Sequence, residues 1–511
     1  MTVASLRLHQ FYTWLCGLFA ALGSVTFGYD LGIIASVLPA EDFNRVTGNP
    51  DATQQGLITG CLLLGAFASS IITDAIGRRR AILAGCLLFF LGGGLQCGAQ
   101  SISYMYGGRF LAGMGIGMLA MLAPLYQSEI AHPSIRGSLT TLQQFMLGIG
   151  AFIASFIGYG LYHGTTGPVQ WRVPLGIQIL RKCFVLNSLL PESPRWLAMK
   201  GRNQEVLQVL ARLHAHGDVN DTFVVAEYQE ITHQVELEKQ FTQNAWSQLL
   251  TNPSNLRRLI LGVALQFSVQ MTGVSCIQYY SPQIYASIGI DTSTTLGLQS
   301  GNSVVALIGE GLCVLFIDRL GRRGPLVWAN ILSGITFIIG TIIIAVYPAG
   351  SGNANASRAF VAMTWLFNLF FSAAIGPLSW AIPVEMFNSA TRAKATSITS
   401  SAAWISNFMI AQVSPIAFDN VGWRYYLVFA VCSMSNALFF WSFLPETKGI
   451  PLEELDSYFD SVPLFVPGSG VHVRDARARE EELRRGEIHV GEKVVSAVDE
   501  NKSEKVDIEH V

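Results

Sequence analysis

The chain has 511 residues, half of them hydrophobic and only 13% charged, with a formal net charge of −2 at pH 7. A soluble globular protein carries roughly a quarter charged residues, so this chain lacks the polar surface of an ordinary cytosolic enzyme, and its near-neutral balance offers no basic footprint to a nucleic acid. The class that remains is an all-α polytopic membrane protein, for which 49 Gly and 30 Phe suit close helix packing.

A helix needs about 20 mostly apolar residues to cross a bilayer. Such runs fall near 11–39, 56–76, 81–101, 105–128, 138–161 and 173–190, then near 257–281, 297–317, 325–348, 359–387, 395–418 and 424–444. Twelve spanning helices in two six-helix bundles are expected. The first run follows only Arg7 and outlasts a signal-peptide core, so it is read as a retained helix. The expected domains are an N-terminal bundle over 1–190, a cytoplasmic connection with short helices over 191–256, a C-terminal bundle over 257–448 and a tail over 449–511. The tail is charged and poor in aromatics, and is expected to be disordered beyond about 461.

Orientation follows the loop cations. One set of loops holds Arg78, Arg79, Arg80, Arg136, Arg195, Arg257, Arg258, Arg322, Arg323 and Arg392, and the alternate set only Arg45, Arg172, Arg358 and Arg424. The rich set and both termini are expected in the cytoplasm. The eight cysteines all lie in apolar stretches with no CxxC pair, so they read as packing residues and imply no metal and no cofactor. No G-x-S-x-G, H-E-x-x-H or Walker motif occurs, so the chain does not read as an enzyme.

Two acids lie inside spans. Asp30 is about 19 residues into the first, roughly 28 Å along it. A mid-span acid costs about 2.5–3.5 kcal/mol and needs a partner. Arg109, which opens the fourth span at similar depth, is the candidate. Glu310, about 13 residues into the eighth span, is the second acid. Arg181 and Lys182 fall in the middle of a short sixth span, where two cations must snorkel or pair.

The two halves repeat one another. Asp74, Gly77, Arg78 and Arg79 follow the second span, and Asp318, Gly321, Arg322 and Arg323 follow the eighth. Glu129 precedes Arg136 by seven residues, as Glu385 precedes Arg392. Glu192 and Arg195 close the sixth span in Pro-Glu-Ser-Pro-Arg, and Glu446 closes the twelfth in Pro-Glu-Thr-Lys-Gly. Internal repeats with a solute site at their interface are the architecture of secondary transporters. These charges read as a gate network at the cytoplasmic face, pairing between bundles when that side is shut.

With Phe27-Gly28-Tyr29-Asp30, Gly108-Arg109, Gln143-Gln144 and Gln278-Tyr279-Tyr280-Ser281-Pro282, these motifs run from about residue 27 to 449. The set resembles the sugar porter family of the major facilitator superfamily, in its fungal branch. The resemblance implies movement of a sugar or polyol by alternating access in a multi-pass membrane protein, by default of the plasma membrane. It also implies proton coupling through the pair matched by Asp30 and Arg109. A facilitative carrier and a non-transporting sensor stay open as alternatives.

A sugar's hydroxyls both donate and accept, and its C–H faces stack on aromatics, so its site wants amides and flat rings. By resemblance the contacts are Gln144, Gln270, Trp380 and Trp404. Ser275, Tyr280 and Asn302 complete the candidate site, and Gln266 and Gln278 are further amides on the seventh span. The chain has Val269, Ser275 and Ala403 where the family often has amides, and Asn302 stands about a turn from the usual Asn. Fewer amides than in a typical hexose site are therefore expected.

Overall fold

The computed structural model describes residues 3–70, 78–130, 136–179, 191–215, 217–242, 245–348, 353–387, 389–448 and 455–467. Every regular element among them is helical. The first half holds α1 (Val3–Val37), the short α2 (Glu41–Thr47), α3 (Ala52–Ser70), α4 (Arg78–Cys97), α5 (Ile102–Ile130), α6 (Arg136–Gly164) and α7 (Val169–Ile177). The connection holds α8 (Pro194–Met199), α9 (Asn203–His214), α10 (Thr222–Thr242) and α11 (Ala245–Thr251). The second half holds α12 (Pro253–Met271), α13 (Val274–Ala286), α14 (Thr292–Leu320), α15 (Arg323–Val346) and α16 (Ala354–Phe370). A π-helical turn (Phe371–Ile375) joins α16 to α17 (Gly376–Met386), followed by α18 (Ser389–Val421), α19 (Tyr425–Phe443) and the tail helix α20 (Leu455–Ser461).

Among the described residues nine stretches are long and apolar enough to cross a membrane, and the longest, Lys394–Phe443, holds two helices. The second and sixth expected spans run into residues outside the description, and Arg181, Lys182 and Cys183 lie there too. Large apolar side chains such as Leu315, Trp328, Ile342, Val431 and Leu438 are exposed around the outside. In water such a belt would be a liability, but against lipid it is the matching surface.

Local sequence explains where helices begin and break. Asn252 caps α12 by accepting from the Ser254 amide at 2.9 Å, with Pro253 at the first helical position. Asp291 caps α14 by accepting from the Thr294 amide at 2.9 Å. The seventh span breaks at Gly273, whose φ of +88° suits glycine alone. It kinks again at Tyr280, two residues before Pro282.

Within the first half α1 packs along α6, and α3 and α4 both pack on α5. In the second, α15 packs on α19 and α16, and α12 on α18. The halves meet along two seams, α3 against α18 and α6 against α14. The seams are held by small neutral contacts. Ser70 Oγ lies 2.8 Å from Ser401 Oγ, Ser155 Oγ 2.8 Å from Ser303 Oγ, and the Gln412 amide donates to Thr53 O at 3.1 Å. Packing of the tail continues past the expected limit of 461. Tyr458 donates to Glu446 O at 2.8 Å, Arg257 donates to Val462 O at 2.6 Å, and Val462 and Val466 are buried. Burial and the nearby Glu446 carboxylate push the Tyr458 phenol up to about 12, so it stays a donor at physiological pH.

Candidate solute cavity and charge clusters

Both halves contribute to a cavity of about 150 Å³. A water needs about 10–15 Å³ on the same measure, so the space is on the order of ten waters, the scale of a small polyhydroxylated ring. Gln144, Gln270, Ser275, Asn302, Trp380 and Trp404 all line it. Tyr280 does not: it is buried to one side, with its hydroxyl donating to Ala411 O at 2.7 Å. Gln266 is also elsewhere, donating to Ser379 O at 2.9 Å. Val269 and Ala403 do line the wall, as the departures from the family pattern imply. The loss is offset by Gln278, Gln299, Asn368 and Asn407. Sequence reading missed the last three of these as a set. Two were findable by helical spacing, since Gln299 stands one turn before Asn302 and Asn407 one turn after Trp404.

The wall presents complementary polarity. Gln270 Oε1 accepts from Ser275 Oγ at 2.6 Å, which leaves the Gln270 amide nitrogen to donate. Gln144 Nε2 donates to Glu310 Oε1 at 3.4 Å, which leaves its carbonyl oxygen as an acceptor. Trp380 and Trp404 stand 6.2 Å apart, and Phe27 meets Trp404 edge-on at 5.3 Å. Glu310 is 5% exposed and packs on Gly148 of the other half, where a Cβ would come within 1.8 Å of its Oε2.

Beside the cavity lies the ion pair. Arg109 Nη2 on α5 is 3.6 Å from Asp30 Oδ2 on α1, and both side chains are fully buried. That distance is too long for a hydrogen bond, and neither the Asp30 oxygens nor the Arg109 guanidinium nitrogens have a hydrogen-bond partner among the described residues. Phe27 and Leu31, on the same helix as Asp30, line the cavity. The pair therefore shares a helix with two residues of the cavity wall. Tyr279 and Tyr280 of the broken seventh span share a core cluster with Leu31, Ile34 and Ala411.

The duplicated motifs become duplicated geometry. Arg78 grips Glu129 through two nitrogens at 3.1 and 3.2 Å, and Arg322 grips Glu385 at 3.0 and 3.1 Å. Glu192 accepts from the Arg79 amide at 3.1 Å, while Glu446 accepts from the Arg322 amide at 2.9 Å and the Arg323 amide at 3.1 Å. Arg392 donates to Phe387 O at 3.1 Å, and Arg195 sits on α8. Asp74 lies outside the described residues, as do the side chains of Arg136 and Asp318. Each of these contacts stays inside one half.

A family model described as "Sugar (and other) transporter" matches residues 16–459. The MFS glucose transporter mfs1 of Aspergillus flavus is 33% identical over 489 residues, covering 89% of this chain and 90% of that one. A high-affinity glucose transporter of Kluyveromyces lactis is 31% identical, covering 89% and 87%. A probable quinate permease of Aspergillus clavatus is 30% identical, covering 93% of each. Among solved structures, XylE, described as a proton:xylose symporter and solved with 6-bromo-6-deoxy-D-glucose, superposes with a TM-score of 0.74 at 23% identity. The match covers 88% of this chain and 100% of that one. A partially occluded inward-open form of XylE from E. coli gives 0.72 at 22% identity, covering 86% and 99%. These superpositions show the fold of twelve helices in two bundles.

Proposed function

The chain belongs to the sugar (and other) transporter family of the major facilitator superfamily, and we propose that it carries a sugar, foremost a monosaccharide, across the plasma membrane by proton-coupled alternating access. The observation that carries this reading is the placement of a sealed Asp30–Arg109 pair against a cavity walled by amides and two tryptophans. The relatives named as glucose transporters support the solute class, and the neighbour named a proton:xylose symporter supports the coupling.

Protonation of Asp30 cancels the charge that holds Arg109 and loosens α1 from α5. Phe27 and Leu31 on α1 transmit that change to the cavity wall. The neutral seams then let one bundle rock on the other, and a network of charges at the cytoplasmic face biases the two end states by the few kcal/mol such equilibria need. In this reading the bundles are 1–190 and 257–448, joined by the connection 191–256, with both termini cytoplasmic.

The test is uptake in cells lacking their own hexose carriers, with labelled hexoses, pentoses, polyols and disaccharides, each with and without a protonophore. Protonophore-sensitive accumulation of one compound is the expected result. Protonophore-insensitive equilibration would make the chain a facilitator and the buried pair structural. Surface-localised protein that moves none of the panel would overturn the transport reading.

A further inference from the structure

Resting on that transport reading, we infer that the cavity selects a solute carrying a protonated amine, and that Glu310 is the residue that selects it. The two intramembrane acids stand in opposite circumstances. Asp30 has Arg109 beside it. Glu310 lines the cavity itself and makes no ion pair among the described residues. Its Oε1 meets only the Gln144 amide, and its Oε2 is buried without a hydrogen-bond partner. Among the described residues no Lys, Arg or His lines the cavity. The described wall therefore holds one carboxyl group and no cation to balance it.

A carboxyl group taken out of water without a partner is costly to ionise, and a cation brought beside it is what offsets that cost. The aromatic part of the wall works in the same direction. Trp380, Trp404 and Phe27 line the same space, and aromatic faces attract ammonium groups. A carboxylate, aromatic faces and no basic residue together favour an amine on a polyhydroxylated ring over its neutral counterpart, and disfavour a sugar acid by like-charge repulsion. Glu310 and Gln144 come from opposite halves, so the amine also bridges the seam between α6 and α14.

The test uses the purified full-length chain in detergent, with tryptophan fluorescence as the readout, at a pH where the amine is protonated. D-Glucosamine, D-glucose, N-acetyl-D-glucosamine and D-gluconate are titrated in, together with ethanolamine as a non-sugar amine. D-Glucosamine should bind roughly tenfold or more tightly than D-glucose, and acetylation, which removes the charge, should abolish that preference. Glu310→Gln should bring the glucosamine-to-glucose ratio close to unity. Equal binding of the two by the wild type, or a ratio unmoved in Glu310→Gln, would overturn the inference while leaving sugar transport intact. Glu310-dependent binding of ethanolamine without binding of any sugar would instead keep the amine site and overturn the sugar reading.

Discussion

Replacing Asp30 by Asn removes one charge from a pair that water does not reach, with side chains fully buried and closest atoms 3.6 Å apart. At that separation and an effective dielectric of 20, unit charges attract by about 4.6 kcal/mol. Asp30→Asn leaves the guanidinium buried without an anion, and breaking a buried pair from one side costs about 3–5 kcal/mol. Arg109→Met should cost a similar amount, because it strands the carboxylate. The double variant removes both charges together with their desolvation, a change that is often close to neutral. Purified wild type, both single variants and the double variant would be melted in detergent with intrinsic fluorescence as the signal. The double variant should melt above both singles. The reasoning fails if the singles melt with the wild type, or if the double loses the sum of the single losses. In liposomes, Asp30→Asn should abolish accumulation against a gradient but keep solute exchange, and normal accumulation would refute the coupling role.

Gly113→Ala drives a Cβ to within 1.9 Å of the Leu62 backbone oxygen, so it should prevent recovery of monodisperse protein, whereas Gly107→Ala, with open space around it, should express as the wild type does on size exclusion. Trp404→Ala and Trp380→Ala each remove an aromatic face of the cavity and should raise the transport KM roughly tenfold, about 1.4 kcal/mol; an unchanged KM would place the solute elsewhere. Hydrogen bonds from the Thr294 hydroxyl and amide hold the Asp291 carboxyl below its ordinary range. A folded pKa that is depressed gives stability present above the unfolded value, near 3.9, and lost as pH falls through the folded one. Amide exchange in the first turn of α14, measured against neighbouring turns, should therefore speed up below about pH 4 in the wild type and not in Asp291→Asn, which caps without titrating.

Depth along a helix was readable from the sequence, and rotation about its axis was not. Asp30 and Arg109 were matched because both lie at one depth, and the duplicated motifs because order along the chain suffices. Gln266 and Gln270 sit one turn apart, yet one packs against Ser379 O and the other faces the cavity. Positions four apart on a helix differ by only about 40°, and a small change in tilt decides which enters a narrow space. Two irregularities shift the phase further. The break at Gly273 separates Gln270 from Tyr280, and the π turn at Phe371–Ile375 rotates every residue after it. Trp380, which lies beyond that turn, was placed at the cavity by resemblance and not by counting from the start of the tenth span. Partner choice was harder still: charges at one membrane face identify a cluster, but whether Arg322 reaches Glu385 of its own bundle or an acid of the other depends on how the bundles are tilted.

The π turn has a consequence for how the molecule senses its cargo. Phe371 and Ser372 lie in that turn, and Gly376, Ser379 and Trp380 follow it directly; all five belong to the cavity wall. An irregular ladder opens more readily than a regular one, and this one lies in the wall of the cavity. Occupancy then acts as a splint, converting a yielding turn into a stiff one without any signal having to travel. The tenth span would then be its own reporter, and slowed hydrogen exchange across 371–380 is the expected mark of a loaded carrier.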